Sequence, residues 1–249
     1  MFFKLGLDWL GKNFLSPKMF YANTTKLLPW LAILFMSFFC YGLIDGLFYA
    51  PADYQQGDGF RIIYVHVPSA FTGMAIYAVM AVCAVITLVW RIKIAAICMS
   101  CSASIGAWFT FLALVTGSIW GKSMWGTWWI WDARLTSVLI LLFLYLGFIA
   151  LQSVIDNQQT KERASALIAM VGVINLPIIH YSVIWWNTLH QGPTISQFAA
   201  PSIAPTMLYP LLAMIAAFLF FYGWMVLTRM RSQILLREMK TEWVKKIYE

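Results

Sequence analysis

Tryptophan residues are concentrated in one short segment of this chain, at residues 120–134. The segment reads Trp-Gly-Lys-Ser-Met-Trp-Gly-Thr-Trp-Trp-Ile-Trp-Asp-Ala-Arg, so its tryptophans are Trp120, Trp125, Trp128, Trp129 and Trp131. If residues 125–132 form a short helix, three indoles and the Asp132 carboxylate share one face, because positions i, i+3, i+4 and i+7 align. A flat aromatic surface suits a large planar ligand through offset stacking, and it also suits a partner helix or a lipid.

An aromatic belt is the alternative explanation for these tryptophans, since Trp and Tyr are enriched where membrane helices meet water. A belt accounts for about one or two tryptophans at each helix end. It does not account for five within 12 residues beside an acidic side chain. The pattern therefore favours a binding platform over a simple belt.

Histidines supply the second set of candidate residues, and the chain has three of them. His66 and His190 both lie close in sequence to the ends of long apolar stretches. Haem iron takes axial imidazoles from the two sides of its plane, so two histidines on different helices could hold it while the tryptophans cover the ring. We predict His66 and His190 as the axial ligands. His180 lies deeper, where a hydrogen-bonded role within the bundle competes with that of a transient haem ligand.

Haem also carries two propionates, which need cationic partners. Arg61, Lys122 and Arg134 are the candidates near the histidines and tryptophans, and arginine makes the better fork for a carboxylate. Asp132 lies two residues before Arg134, so a local ion pair between them competes with the propionate role.

The elements that must position these residues are membrane helices. Hydrophobic residues make up 61% of the 249 residues, charged residues only 11%, and the mean hydropathy is +0.75. So few charges cannot cover a soluble surface, and a helix needs about 20 apolar residues to cross a bilayer. We predict an all-α integral membrane protein, one membrane domain over residues 1–249, built as a bundle of six helices. The predicted spans lie near residues 28–49, 66–90, 95–119, 135–152, 164–186 and 205–227.

The distribution of lysine and arginine predicts which side each loop faces. With the N-terminus inside, 14 of the 17 fall in inner segments and three in outer ones. By the positive-inside rule, both termini are cytoplasmic and the loops at residues 50–65, 120–134 and 187–204 face outward. Anionic lipid headgroups account for the basic tail, so we predict no nucleic-acid partner.

Two weaker patterns concern the N-terminal third of the chain. Residues 2–15 place Phe3, Leu7, Leu10 and Phe14 on one stripe, which predicts a helix lying on the cytoplasmic leaflet. The Ala-Pro-Ala sequence at 50–52 resembles a signal-peptide cleavage site. The apolar block before it is longer than a signal core, so we predict a retained first span.

The four cysteines all lie inside predicted spans, at positions 40, 83, 98 and 101. Cys98 and Cys101 form a CxxC pair, which in a soluble protein suggests metal or redox chemistry. No second CxxC or nearby histidine completes a zinc set here. We interpret these thiols as small apolar packing groups.

Four segments of the sequence together resemble a known family. The stretch Trp-Gly-Thr-Trp-Trp-Ile-Trp-Asp-Ala-Arg-Leu-Thr-Ser at 125–137 looks like the tryptophan-rich WWD signature of haem-handling proteins. Added to it are Ala-Pro-Ala-Asp-Tyr-Gln-Gln-Gly at 50–57, His-Val-Pro at 66–68 and Trp-Trp-Asn-Thr-Leu-His-Gln-Gly at 185–192. With length and span number, these features resemble the CcmC family, the haem exporter protein C of bacterial cytochrome c maturation.

The resemblance implies a function and a set of partners. Members hold haem, here haem b carried as cargo, at the periplasmic face of the bacterial inner membrane and present it to the haem chaperone CcmE. The ATP-binding-cassette pair CcmA and CcmB, with the small protein CcmD, complete the complex. By position, His66 and His190 match the two histidines of the family, while Trp120, Trp125, Trp128, Trp129, Trp131 and Asp132 match its WWD segment.

Two other functions stay open at this point. The chain could be a permease subunit for a small solute, although its spans are poor in the polar groups that transporters place near the membrane midplane. It could also be a structural adaptor whose tryptophans grip a partner helix. No Ser/His/Asp, Walker or zinc pattern indicates a separate catalytic centre, so we expect a scaffold that assists the loading of a chaperone rather than an ordinary enzyme.

Overall fold

A computed structural model describes residues 16–190, 192 and 203–248 of the chain. The predicted surface helix at residues 2–15 lies outside these described residues. Within them the chain is helical apart from its connections. The helices are α1 Pro17–Ile44, α2 Ile63–Trp90, α3 Lys93–Trp125, α4 Ala133–Val154, α5 Gln158–Gly172, α6 Asn175–Trp185, α7 Pro205–Arg237 and α8 Glu242–Tyr248.

In the described part of the chain, six helical segments are long and apolar enough to cross a membrane, which confirms the predicted class of a multi-pass, all-α integral membrane protein. The first segment continues from α1 through a π-helical turn, and the second begins with a 3-10 turn before α2. Helices α5 and α6 together form the fifth. The six are Pro17–Tyr49, Asp58–Trp90, Lys93–Trp125, Ala133–Val154, Gln158–Trp185 and Pro205–Arg237.

Alternating spans bring the start of α1 and the end of α7, together with α8, to one end of the bundle. The Tyr21 and Trp243 rings lie 5.9 Å apart, and the Arg231 guanidinium stacks on the Tyr21 ring at 3.8 Å. We call this the terminal end. The opposite end carries His66, Trp120 and His190, and we call it the histidine end. The side of the membrane that each end faces stays a prediction.

The core lies where α2, α3 and α4 meet, and two buried tyrosines contact each other there. Tyr145 of α4 is fully buried and donates a hydrogen bond to the Gly73 carbonyl of α2 at 2.7 Å. Its ring meets the edge of the Tyr77 ring at 5.0 Å. A buried hydroxyl must find a partner because no water can replace it, so this contact fixes how α2 and α4 lie against each other.

The fifth span is broken in its middle. Helix α5 ends at Gly172, and α6 begins at Asn175 after a short turn. Pro177 lies in the first turn of α6, where its missing N–H does little harm. The Asn175 amide donates to the Ser137 carbonyl of α4 at 2.9 Å. This bond connects the first residue of α6 to α4. His190 lies five residues after the end of α6.

Candidate functional site

His66 is the fourth residue of α2 and packs against α3. Its ring meets the Trp120 indole edge-on, with centroids 5.6 Å apart. Its Nδ1 lies 3.0 Å from the Ala113 carbonyl oxygen and 3.2 Å from the Thr116 hydroxyl oxygen. The residue as a whole is partly buried.

The partners of Nδ1 decide which ring nitrogen carries the proton. A carbonyl oxygen can only accept, and the Thr116 hydroxyl already donates to the Leu112 carbonyl at 2.7 Å. Both partners therefore accept from Nδ1–H. In the neutral imidazole the lone pair is then on Nε2, which is the state that can bind a metal ion.

His190 is far from His66 in sequence but lies next to it in the structure. It follows α6 in a segment without regular structure, and its ring centroid lies 6.4 Å from that of His66. The same ring lies 6.5 Å from the Trp125 indole. The two predicted ligands are thus brought together, as are the two tryptophans nearest to them.

Residues 126–132 of the tryptophan segment are not helical, and the predicted short helix over residues 125–132 is wrong. Gly126 ends α3 with φ of +75°, a left-handed conformation that glycine adopts without strain. Residues 127–132 then run without regular structure to α4. The Ser118 hydroxyl holds the Trp128 carbonyl at 2.7 Å, and Asp132 caps α4 by accepting from the Leu135 amide at 2.7 Å.

Without a helix, the five tryptophans do not form one continuous face. Trp120 and Trp125 belong to the last turns of α3 and contact the histidines. Trp128 and Trp131 are 57% and 76% exposed. Trp129 packs edge-on to Trp131 at 5.4 Å, and its buried Nε1 has no hydrogen-bond partner among the described residues.

Asp132 shares this property with Trp129. Its Oδ2 atom is buried and has no hydrogen-bond partner in the described part of the chain, although its Oδ1 caps α4. Burying an unpaired polar atom is unfavourable, and such atoms in folded proteins call for an explanation such as a missing ligand. Trp129 Nε1 and Asp132 Oδ2 are thus a donor and an acceptor, three residues apart, that are both unpaired among the described residues.

The predicted cations have other partners in the structure. Arg61 donates to the Gly46 carbonyl at 2.8 Å and pairs with Asp58 at 3.0 Å, which fastens the first loop to the end of the first span. Arg134 reaches across to the Ile179 carbonyl of α6. The alternative pair of Arg134 with Asp132 does not form, although both residues are described.

Lys122 is the third of these cations. Its ammonium donates to the Gly126 carbonyl at 2.9 Å and lies 6.0 Å from the centre of the Trp128 ring. It thus supports the end of α3. A propionate role for Arg61 or Arg134 stays a prediction and would require each guanidinium to share its present acceptors.

The remaining candidates are His180 and the four cysteines. His180 is partly buried within α6 and meets the Tyr181 ring edge-on at 4.8 Å. All four cysteines are free, and residues 16–190, 192 and 203–248 contain no cluster of three or more metal-ligating side chains. The Cys98 sulfur lies 4.0 Å from the Ser102 hydroxyl within packed helices.

Three residues of the site escaped the sequence reasoning: Gln56, Thr116 and Gly117. The Gln56 side-chain oxygen accepts from the Trp120 indole N–H at 2.9 Å, which joins the first loop to α3. Thr116 and Gly117 lie against the His66 ring. For Thr116 and Gly117 the sequence did contain a signal, namely helical spacing. They precede Trp120 by four and three residues and therefore share its helix face.

Comparison with known proteins gives one consistent result. The family model described as Heme exporter protein C matches residues 10–245. Heme exporter protein C of Haemophilus influenzae is 50% identical over 237 residues, covering 95% of this chain and 96% of that protein. The Escherichia coli protein of the same name is 53% identical over 231 residues, covering 93% of each. The Rhodobacter capsulatus one is 37% identical over 229 residues, covering 92% and 95%.

Proposed function

The chain belongs to the heme exporter protein C family, and we propose that it binds haem at its histidine end, with His66 and His190 as the two axial ligands of the iron. The haem is b-type and is held as cargo for the maturation of c-type cytochromes. The histidine end faces the periplasm, and the bundle lies in the bacterial inner membrane with both termini in the cytoplasm.

The separation of the two histidine rings is the observation that supports this proposal most directly. Two imidazoles that bind one iron from opposite sides, each through a nitrogen at about 2.0 Å, have centroids about 6.3 Å apart, since a ring centre lies about 1.1–1.2 Å behind its nitrogen. The observed centroids are 6.4 Å apart. The described rings therefore fit the spacing that a shared haem iron requires.

The surroundings of the rings suit a porphyrin in two further ways. Trp120 and Trp125 meet the histidine rings edge-on, so their indoles can line the edges of a macrocycle held between the imidazoles. The His66 tautomer leaves Nε2 free to bind iron, which is the state a haem ligand needs.

We propose that the chain delivers its haem to the chaperone CcmE, and the exposed part of the tryptophan segment supports this. Trp128 and Trp131 are largely open, and the same segment contains the Trp129 N–H and the Asp132 Oδ2, which have no hydrogen-bond partner among the described residues. We assign these groups to the porphyrin edge and the docked chaperone. The chain holds and orients haem, while the covalent chemistry belongs to the cofactor and the chaperone. CcmA, CcmB and CcmD act as partners in the wider complex.

The test is the visible spectrum of the purified protein, with the third histidine as a matched control. We expect a Soret band in the wild type that is strongly reduced in His66→Ala and in His190→Ala and is retained in His180→Ala. A band of full intensity in the His66→Ala/His190→Ala double variant would show that the iron is held elsewhere. No Soret band in the wild type after haem is added would favour the permease or adaptor functions.

A further inference from the structure

One face of α3 forms the surface against which His66 rests. Ala113, Thr116, Gly117 and Trp120 lie at positions i, i+3, i+4 and i+7 of this helix and therefore share that face. The Ala113 carbonyl and the Thr116 hydroxyl meet Nδ1 of His66, Gly117 meets its Cε1 edge, and Trp120 meets the ring edge-on.

Gly117 allows the imidazole to approach this face closely. A Cβ atom added at Gly117 would lie 2.8 Å from Cε1 of His66 and 3.3 Å from its Nδ1. Real Cβ atoms almost never come so close, so the ring would have to move away from α3. An imidazole is rigid and is attached to a packed helix, which leaves it little room to adapt. Any larger residue at 117 therefore pushes the ring outward and moves Nδ1 away from the Ala113 and Thr116 oxygens.

Thr116 supplies the side-chain part of the contact. Its hydroxyl proton is used in the bond to the Leu112 carbonyl, so its oxygen can only accept from Nδ1–H. This produces a short chain of hydrogen bonds, from His66 through Thr116 to the backbone of α3. Hydrogen bonds in such a chain polarise one another, and Nε2 becomes a stronger electron donor.

We propose that Gly117 and Thr116 are positioning residues that seat His66, fix its tautomer and set the strength with which its Nε2 binds haem iron. The inference depends on the proposed haem ligation and goes beyond it, because it says which residues tune the ligand. A stronger donor stabilises oxidised iron over reduced iron. Loss of the seat should thus weaken haem binding and raise the reduction potential of the bound haem.

Two variants with matched controls test this proposal. Gly117→Ala is compared with Gly147→Ala, because Gly147 lies in α4 with open space where its Cβ would be. Thr116→Val removes the acceptor at nearly constant shape, while Thr116→Ser keeps it. Haem is titrated into each purified protein in detergent, and the reduction potential of the bound haem is measured by spectroelectrochemistry.

We expect Gly117→Ala to bind haem about 10-fold more weakly or worse, the usual effect of losing a partner of a metal-ligating histidine. Thr116→Val should bind haem with a more positive reduction potential. Gly147→Ala and Thr116→Ser should match the wild type in both measurements. A lone structural role for Thr116 would not move the potential.

The proposal is overturned if Gly117→Ala and Thr116→Val keep both the affinity and the potential of the wild type while His66→Ala loses haem. In that case the haem ligation itself still stands. If His66→Ala and His190→Ala bind haem as the wild type does, the proposed function fails, and the seat of His66 has no bearing on iron.

Discussion

Replacement of Asp132 separates a structural role of this carboxylate from a binding role. Asp132 precedes α4 in an extended conformation, and its Oδ1 accepts the Leu135 amide at 2.7 Å. Replacing a helix N-cap of this kind by alanine costs about 1 kcal/mol, within a range of roughly 0.5–2. Serine restores a cap but has no counterpart of the buried Oδ2 atom. The pair Asp132→Ala and Asp132→Ser therefore tests the cap alone.

The expected size of the effect follows from the length of the chain. For domains of 150–250 residues, 1 kcal/mol corresponds to about 2–4 °C in the melting temperature. We expect the haem-free Asp132→Ala protein in detergent to melt about that much lower than Asp132→Ser, measured by intrinsic tryptophan fluorescence. Equal melting temperatures for the two variants would refute the assignment of Asp132 as a cap that stabilises α4.

The second carboxylate oxygen gives the same variants a functional readout. Because Oδ2 is buried without a partner in the described structure, we expect it to accept a hydrogen bond in the loaded complex. Asp132→Ser should therefore melt at the same temperature as the wild type but pass haem to the proposed chaperone partner more slowly. Loading at the full rate would mean that the carboxylate serves α4 only.

Two further predictions concern contacts that join separate parts of the site. Gln56→Leu removes the acceptor of the Trp120 indole N–H, and we expect it to weaken haem retention while the exposed control Gln55→Leu does not, as seen in the Soret absorbance per protein. Arg134→Gln removes the donor that reaches the Ile179 carbonyl, so it should lower both the melting temperature and haem retention more than Lys122→Gln, whose ammonium is exposed. Equal losses in Arg134→Gln and Lys122→Gln would contradict this ranking.

The spans could be predicted from the sequence because the bilayer imposes a simple rule on composition. About 20 apolar residues in a row have few alternatives to a membrane helix, and each of the six predicted blocks corresponds to one. The histidines could be paired for a related reason. Once the spans alternate, His66 and His190 must reach the same end of the bundle, whatever the details of packing.

The path of the tryptophan segment could not be predicted from spacing. Its residues fit a helical face from Trp125 to Asp132, but local backbone chemistry prevails over that pattern. Gly126 ends α3 in a left-handed conformation, and Asp132 begins a new helix. Both are ordinary helix-end residues, so the sequence contained the signal, and the periodicity of the aromatic residues obscured it.

The α3 surface that contacts His66 could not be predicted from the sequence. It depends on a missing side chain and on a backbone carbonyl. Gly117 contributes by having no side chain, and the Ala113 carbonyl contributes without any dependence on residue type. Sequence patterns record neither directly. Only the packing of α2 on α3, which follows from three-dimensional contacts, shows that a histidine ring occupies the space beside Gly117.

Helix α4 connects the tryptophan segment to His190, although the two are far apart in sequence. Asp132 caps the first turn of α4, and Arg134 in that turn donates to the Ile179 carbonyl. One turn later, the Ser137 carbonyl accepts from the Asn175 amide. The α6 residues in these two bonds are Ile179, which accepts, and Asn175, which donates. Helix α6 is followed by the segment that contains His190. Since the fifth span is broken before Asn175, α6 depends on these bonds for its position. A change that loosens the start of α4 should therefore displace His190 as well as the tryptophans, and the two halves of the site should respond together.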